Sequence, residues 1–314
     1  MVAVLVKLPF AVRPGALPGL VAWSRDPAWG QAHGTRHRTP APRARLLLAR
    51  VVRWFPERQC IFGGDSGDGT SETARFCRKH ERHLTWVSTC YGDAALSEPP
   101  PPRTRHTMGR PRVKGRKLAS PEQVVATTVN RPRLTAAWDG GSTRAIEVIT
   151  GTGHWYRIGE DLVAVRWVHV HDCTGTHRDE YCFTTDIAMR PEQIVACDTQ
   201  RWSMETTFQE CREDLKRESP KGYGQQTVLR FTPCLFGLYT LVVLRYLQLP
   251  QPSRTLRIVL WRGKSTVTFS AMMTCVRRAL WEQWGFHTQA DPQEFSKLSP
   301  SLKATILYAL APAA

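Results

Sequence analysis

Apolar residues recur along this chain at two spacings, and the spacings predict its elements. Some stretches are short and apolar throughout or alternating, as strands are; others step by three and four, as one side of a helix does. Residues 1–10 contain VAVLVKLPF, which reads as a strand buried on both faces. Residues 11–43 are rich in Pro, Gly, Arg and Trp and read as irregular. ARLLLARVVRW at 44–54 predicts a helix with one apolar face. A β-α-β unit follows, with strands at Gln59–Gly63 and Leu84–Ser88 and a helix at Glu72–His80. Residues 134–150 read as a hairpin turning at Asp139-Gly140-Gly141. VAVRWVHV (163–170) and EYCFTTD (180–186) predict two more strands, and Pro191–Cys197 a short helix.

Asp198–Lys216 reads as one amphipathic helix. Met204, Phe208, Cys211 and Leu215 lay an apolar stripe along one side, and Arg201, Glu205 and Arg212 fall together beside it. Glu205 is thus expected as a half-buried carboxylate on a rigid support. The same pattern also describes an ordinary surface helix with an Arg201–Glu205 charge pair. Residues 227–248 predict a long apolar helix or helix pair that closes the core, and Ser270–Trp284 a further helix. The most apolar part, Phe231–Leu244, is 14 residues between two arginines, too short to span a bilayer, so a buried helix and no membrane partner are expected.

Charge narrows the partners. The 314 residues carry 43 Lys and Arg against 27 Asp and Glu, a formal net charge of +16. Such a balance favours a polyanion, although an arginine-heavy or ribosome-associated protein has the same signature. The excess is densest after the prolines at 99–102, where Arg103, Arg105, Arg110, Arg112, Lys114, Arg116 and Lys117 occur without an acid. This run suits a phosphate backbone, or a solvated loop. Arg13, Arg25, Arg36, Arg38 and Arg43, interleaved with Trp23 and Trp29, fit a DNA-facing loop and a solvated one equally. The nine cysteines have no CxxC pairing, which suggests reduced thiols and an intracellular protein. His169, His171, Cys173, His177 and Cys182 form a local cluster whose spacing fits a strand and turn better than a zinc site.

Asp65 ends the first strand of the β-α-β unit, where open α/β sheets place their sites. The SGDGT after it is a good turn and not a P-loop, since no GKS or GKT follows. Asp172 and Asp186 also end strands and are rival ligands.

RWxxExxFQ, with Arg212 seven residues after Glu205, resembles the carboxy-terminal signature of insertion-sequence DDE transposases. Arg201 and Glu205 match it, Arg212 stands where Lys is usual, and Asp198 stands where Tyr is usual. GDSGDGT…ARFC, GTGHWY…VRWVHVHD…GTHRDEY and CLFGLY extend the likeness over roughly residues 50 to 250. Asp65 matches the family's second acid, and Asp68 stands where Tyr is usual.

The resemblance implies an α/β fold: an RNase H-like mixed sheet flanked by helices, with a strand-rich insertion between the second acid and the Glu helix. It divides the chain into a partial core (1–90), a basic linker and β-rich insertion (91–165), the rest of the core with the Glu helix (166–250) and a helical tail (251–314). It implies Asp65 and Glu205 as catalytic metal ligands for Mg²⁺ or Mn²⁺, with Arg201 and Arg212 in support. Double-stranded DNA at element ends would be the partner, copies would assemble on it, and the setting would be the cytoplasm, at the nucleoid. The family's first catalytic Asp has no match here, since Asp26 follows no strand. The expectation is therefore an amino-terminally truncated copy that does not cleave alone. Three other outcomes remain: a DNA-binding remnant that interferes with an intact transposase, a divalent-dependent nuclease using Asp65, Asp186 and Glu205, and a poorly folded product whose missing strand exposes a sheet edge.

Overall fold

The computed structural model describes residues 1–37, 39–65, 71–104, 108–216, 224–255, 267–285 and 297–311. Its elements run β1 (Val2–Val6), β2 (Gly15–Leu20), α1 (Pro27–Ala32), α2 (Pro40–Trp54), β3 (Cys60–Gly64), α3 (Ser71–Lys79), β4 (Leu84–Thr89), β5 (Leu96–Ser97), α4 (Pro121–Thr127), β6 (Arg133–Ala137), β7 (Thr143–Trp155), β8 (Val163–Asp172), β9 (Glu180–Thr184), α5 (Pro191–Gln200), α6 (Ser203–Glu213), α7 (Gln225–Gln248), α8 (Gln251–Thr255), α9 (Phe269–Leu280) and α10 (Pro300–Leu310). The chain divides into two compact units. One comprises Met1–Val2 with Ala22–Ser203, the other Ala3–Val21 with Met204–Ala314.

The first unit is built on a mixed sheet in the order β3-β4-β9-β8-β7-β5, with β6 also on β7. β3 and β4 are parallel and joined through α3, as a parallel pair requires; every other pairing is antiparallel. The sheet is buried on both faces. Trp86, Val163, Val165, Trp167 and Phe183 pack on one side with Leu48 of α2, Ala74 and Cys77 of α3 and Val125 of α4. Their neighbours Val87, Val168, Val170 and Cys182 pack on the other with Ile194 and Val195 of α5. Successive side chains point to opposite faces, so two buried faces demand consecutive apolar residues, which makes these strands legible in the sequence. The hairpin forms as expected. Gly140 and Gly141 take φ of 73° and 77° at its turn, the left-handed region that suits glycine.

The second unit packs α7 on β2 and α9. Tyr239 stacks on Phe269 at 4.3 Å, and Phe10 meets Tyr246 edge-on. The hydroxyls of Thr207 and Thr240 donate to the carbonyls of Ala16 and Pro18, both at 2.8 Å.

Four expectations are corrected. β1 is not buried on both faces: among the described residues it pairs only with β2, in a two-stranded ribbon, and Val4 and Leu5 are exposed. Residues 11–43 are not irregular. They form β2, α1 and the start of α2, because Pro27 and Pro40 open helices, where a missing N–H costs nothing. Asp198–Lys216 is not one helix, since α5 ends at Gln200 and α6 begins at Ser203. Finally, α7 is one 24-residue helix with Pro233 inside it, long and apolar enough to cross a membrane by length and composition. It is buried on one side only; Leu238, Leu241 and Leu244 are exposed.

Gly151 lies opposite Trp167, and a Cβ there would stand 2.7 Å from the indole. Gly151→Ala is expected to destabilise by about 1–3 kcal/mol through overpacking. Gly237, exposed within α7 with nothing near its Cβ position, is expected to gain up to about 1 kcal/mol as Ala. Urea melts of the two variants check both signs.

Candidate functional site

Asp65 follows the last residue of β3. Its backbone is held by β4: the hydroxyl of Ser88, which is fully buried, donates to the Asp65 carbonyl at 2.9 Å. The Asp65 side chain is exposed. The last turn of α5 lies against the same strand at Gly63. A Cβ on Gly63 would stand 3.6 Å from the Cys197 carbonyl and 3.9 Å from the Arg201 Cβ. The structure thus brings Arg201 beside the end of β3, two residues from Asp65. Asp68 lies outside the described residues.

Glu205 belongs to the first turn of α6, in the second unit, and is exposed rather than half-buried. The reason lies in the helix break. The side of α6 that packs carries Thr207 and Cys211, with Phe208 edge-on to Phe236 at 5.5 Å, and Glu205 falls outside it. Arg212 is exposed too. The acid that α6 buries is Glu210. Burial raises its pKa, while the Tyr239 hydroxyl, 2.6 Å away, and Arg13, at 3.5 Å, hold against that rise.

Asp198 is buried as well. It sits at the end of α5 with its side chain 5% exposed, and Arg201 Nε lies 3.9 Å from Oδ1. That distance is an ion pair and not a hydrogen bond, and Oδ1 has no hydrogen-bond partner. Burial pushes the Asp198 pKa up to about 6. The negative charge of Glu180 adds to the rise; Arg201, the Cys182 thiol and His177 oppose it. Its position three residues before Arg201 is a signal the sequence carried.

The rival ligands have structural work. Asp172 accepts from the amides of Thr174, Thr176 and His177 and from Arg144, closing the turn after β8. Burial opposes its ionisation, yet the Thr174 and Thr176 hydrogen bonds and Arg144 hold its pKa well below the usual range. Asp186 accepts from the Ala188 amide at 2.9 Å in the turn after β9. His169 and His171 both face Asp179.

The donor type expected for magnesium is present, since Asp65 and Glu205 are oxygen ligands. The two acids belong to different units, and among the described residues no group of three or more His, Cys, Asp or Glu could hold a metal ion.

The basic run is anchored at its base. The Glu98 amide donates to the Arg116 carbonyl at 2.8 Å, the Gly115 amide to Glu98 at 2.9 Å and the Leu118 amide to Leu96 at 2.9 Å, while Lys117 bridges Ser97. Arg116 pairs with Glu98 at 3.1 Å, and Lys114 lies over the Tyr156 ring at 4.9 Å. Arg103, Arg110 and Arg112 are exposed, with no ion pair among the described residues; Arg105 lies outside them.

Because the folded-state pKa of Asp198 lies above the ordinary aspartate value, the folded chain holds an extra proton between about pH 4 and pH 6. Its contribution to stability is greatest below that window and is lost as pH rises through it. Asp198→Asn is expected to gain on wild type by on the order of 2 kcal/mol between pH 4 and pH 7. Paired urea melts at the two pH values measure this, and a constant difference would sink it.

No family model matches the chain, and no curated protein matches it. Among solved structures, the cryo-EM structure of a piggyBac transposase synaptic complex with hairpin DNA is similar at TM-score 0.35 and 11% identity. The match covers 88% of this chain, which spans 46% of the length of that one. A likeness this slight assigns no residue a role.

Proposed function

We propose that this chain is a DNA-binding protein of the DDE transposase class, which holds double-stranded DNA and does not cut it unaided. The observation that carries the binding is the basic arm. Arg103, Arg110 and Arg112 are exposed without ion pairs among the described residues, on a segment tied to β5 at its base. An anchored arm loses less conformational entropy on meeting a phosphate backbone than a free one. The class rests on the signature residues. Asp65 at a strand end beside Arg201 supports that reading, because cations near such a carboxylate suit phosphodiester substrates.

The family's reaction is phosphodiester cleavage and strand transfer, with Mg²⁺ or Mn²⁺ held by three carboxylates. Asp65 and Glu205 are proposed as two of these. Among the described residues no group of three or more His, Cys, Asp or Glu could hold a metal ion, and binding without cleavage is the reading proposed.

Fluorescence anisotropy on a labelled duplex should show affinity falling steeply with salt and indifferent to Mg²⁺. The Arg103→Ala/Arg110→Ala/Arg112→Ala variant should flatten the log–log salt slope by about 0.9 for each phosphate it no longer neutralises. A nicking assay with Mg²⁺ or Mn²⁺ should give no product. Nicking that disappears in both Asp65→Ala and Glu205→Ala would instead establish a complete enzyme.

A further inference from the structure

The segment 25–43 carries chemistry that the basic arm and Asp65 leave unused. Arg25, Arg36, His37 and Arg43, with Asp26 and Trp29, line a cavity of about 250 Å³ within the first unit. The three guanidiniums and one carboxylate leave a formal charge of +2 around it. Asp26 is already engaged, its Oδ1 accepting from the Ala28 amide at 2.7 Å. Among the described residues none of the three arginines has an ion pair, and Arg43 Nε is buried without a hydrogen-bond partner. A buried donor left unmet costs free energy that a bound oxyanion would relieve.

The cavity wall is set before any ligand arrives. The Arg25 Cζ lies over Trp29, 3.6 Å from the ring centroid, and His33 stacks on Trp29 at 3.9 Å and 9°. The cation–π contact restrains Arg25, whose N–H groups have no ion pair among the described residues. The Thr35 amide donates to the Gly30 carbonyl at 2.9 Å, and a Cβ on Gly30 would stand 2.9 Å from the Thr35 carbonyl, so this tight turn requires glycine. The space is smaller than the ~300–1,000 Å³ clefts that enclose drug-sized ligands. It suits one compact anion, or one group of a longer chain lying across its mouth.

We propose that this cavity is a phosphate-binding site, which takes a phosphate mono- or diester oxyanion between the guanidiniums of Arg25, Arg36 and Arg43. Guanidinium forks match tetrahedral oxyanions through paired hydrogen bonds. The phosphate is that of a DNA backbone or of a free nucleotide. The site stands apart from the arm at 103–117, so either can fail alone.

The test uses the full chain. Calorimetric titration with inorganic phosphate and with AMP should show binding that Arg25→Ala/Arg36→Ala weakens about tenfold or more. Arg36 is exposed, and circular dichroism of the double variant checks that the fold survives. Arg53→Ala, an exposed arginine of α2 outside the cavity, serves as the charge control. If the phosphate is that of DNA, inorganic phosphate competes with duplex beyond its ionic-strength effect, and the double variant loses about 0.9 of the salt slope while Arg53→Ala does not. If it is that of a nucleotide, AMP binding is lost but DNA affinity matches the control. Phosphate binding that persists in a chain without DNA affinity would leave the cavity standing and overturn the proposed function. A wild-type chain that binds neither phosphate nor AMP, with the double variant matching Arg53→Ala on DNA, overturns the site.

Discussion

Burial of the mixed sheet on both faces is the constraint from which the first unit follows. Trp86 and Val87 are adjacent in β4 and neither is exposed, so the strand must be covered from both sides. Helices α2, α3 and α4 cover one face and α5 the other. Burying an aromatic or branched side chain contributes about 1.5–3 kcal/mol, so positions such as these outweigh most local preferences. The position of α5 is therefore a consequence of core packing, and it delivers Arg201 to the end of β3 next to Asp65.

That same packing has a cost at Asp198. A carboxylate 5% exposed, with a cation 3.9 Å away and one oxygen unmatched, is poorly compensated. Here the chain keeps a buried acid whose proton binding is shifted upwards. Asp172 is the counterexample in the same unit. It is equally buried, but backbone amides, hydroxyls and Arg144 saturate it, and its charge is stabilised. Hydrogen bonding, more than burial, separates a structural acid from a perturbed one.

The positive charge is organised rather than spread evenly. On the arm, Glu98 and Tyr156 engage Arg116 and Lys114 near the base, and the outer arginines are left without ion pairs among the described residues. Around the Trp29 stack, three arginines share one cavity with a single acid that is already used as a helix cap. Like charges crowd at a cost, and both places leave guanidinium donors with little intramolecular competition for an anion.

The sequence by itself determined the strands and most helices, because two-sided burial writes consecutive apolar residues and one-sided burial writes three- and four-residue steps. It determined the excess charge and where it concentrates, and it marked Asp65 as a strand-end acid. It misled where one residue type serves two purposes. Pro27, Pro40 and Pro121 open helices, yet in a sequence they look like breaks. Only the tertiary structure decided the interruption at Arg201 and Trp202. Residues 191–200 bury Ile194 and Val195 in one core, residues 203–213 bury Thr207 and Cys211 in another, and a single helical periodicity runs through both. It alone decided that Asp198 is buried while Glu205 is exposed, since a side chain's exposure depends on what packs against it, and those partners are distant in the chain.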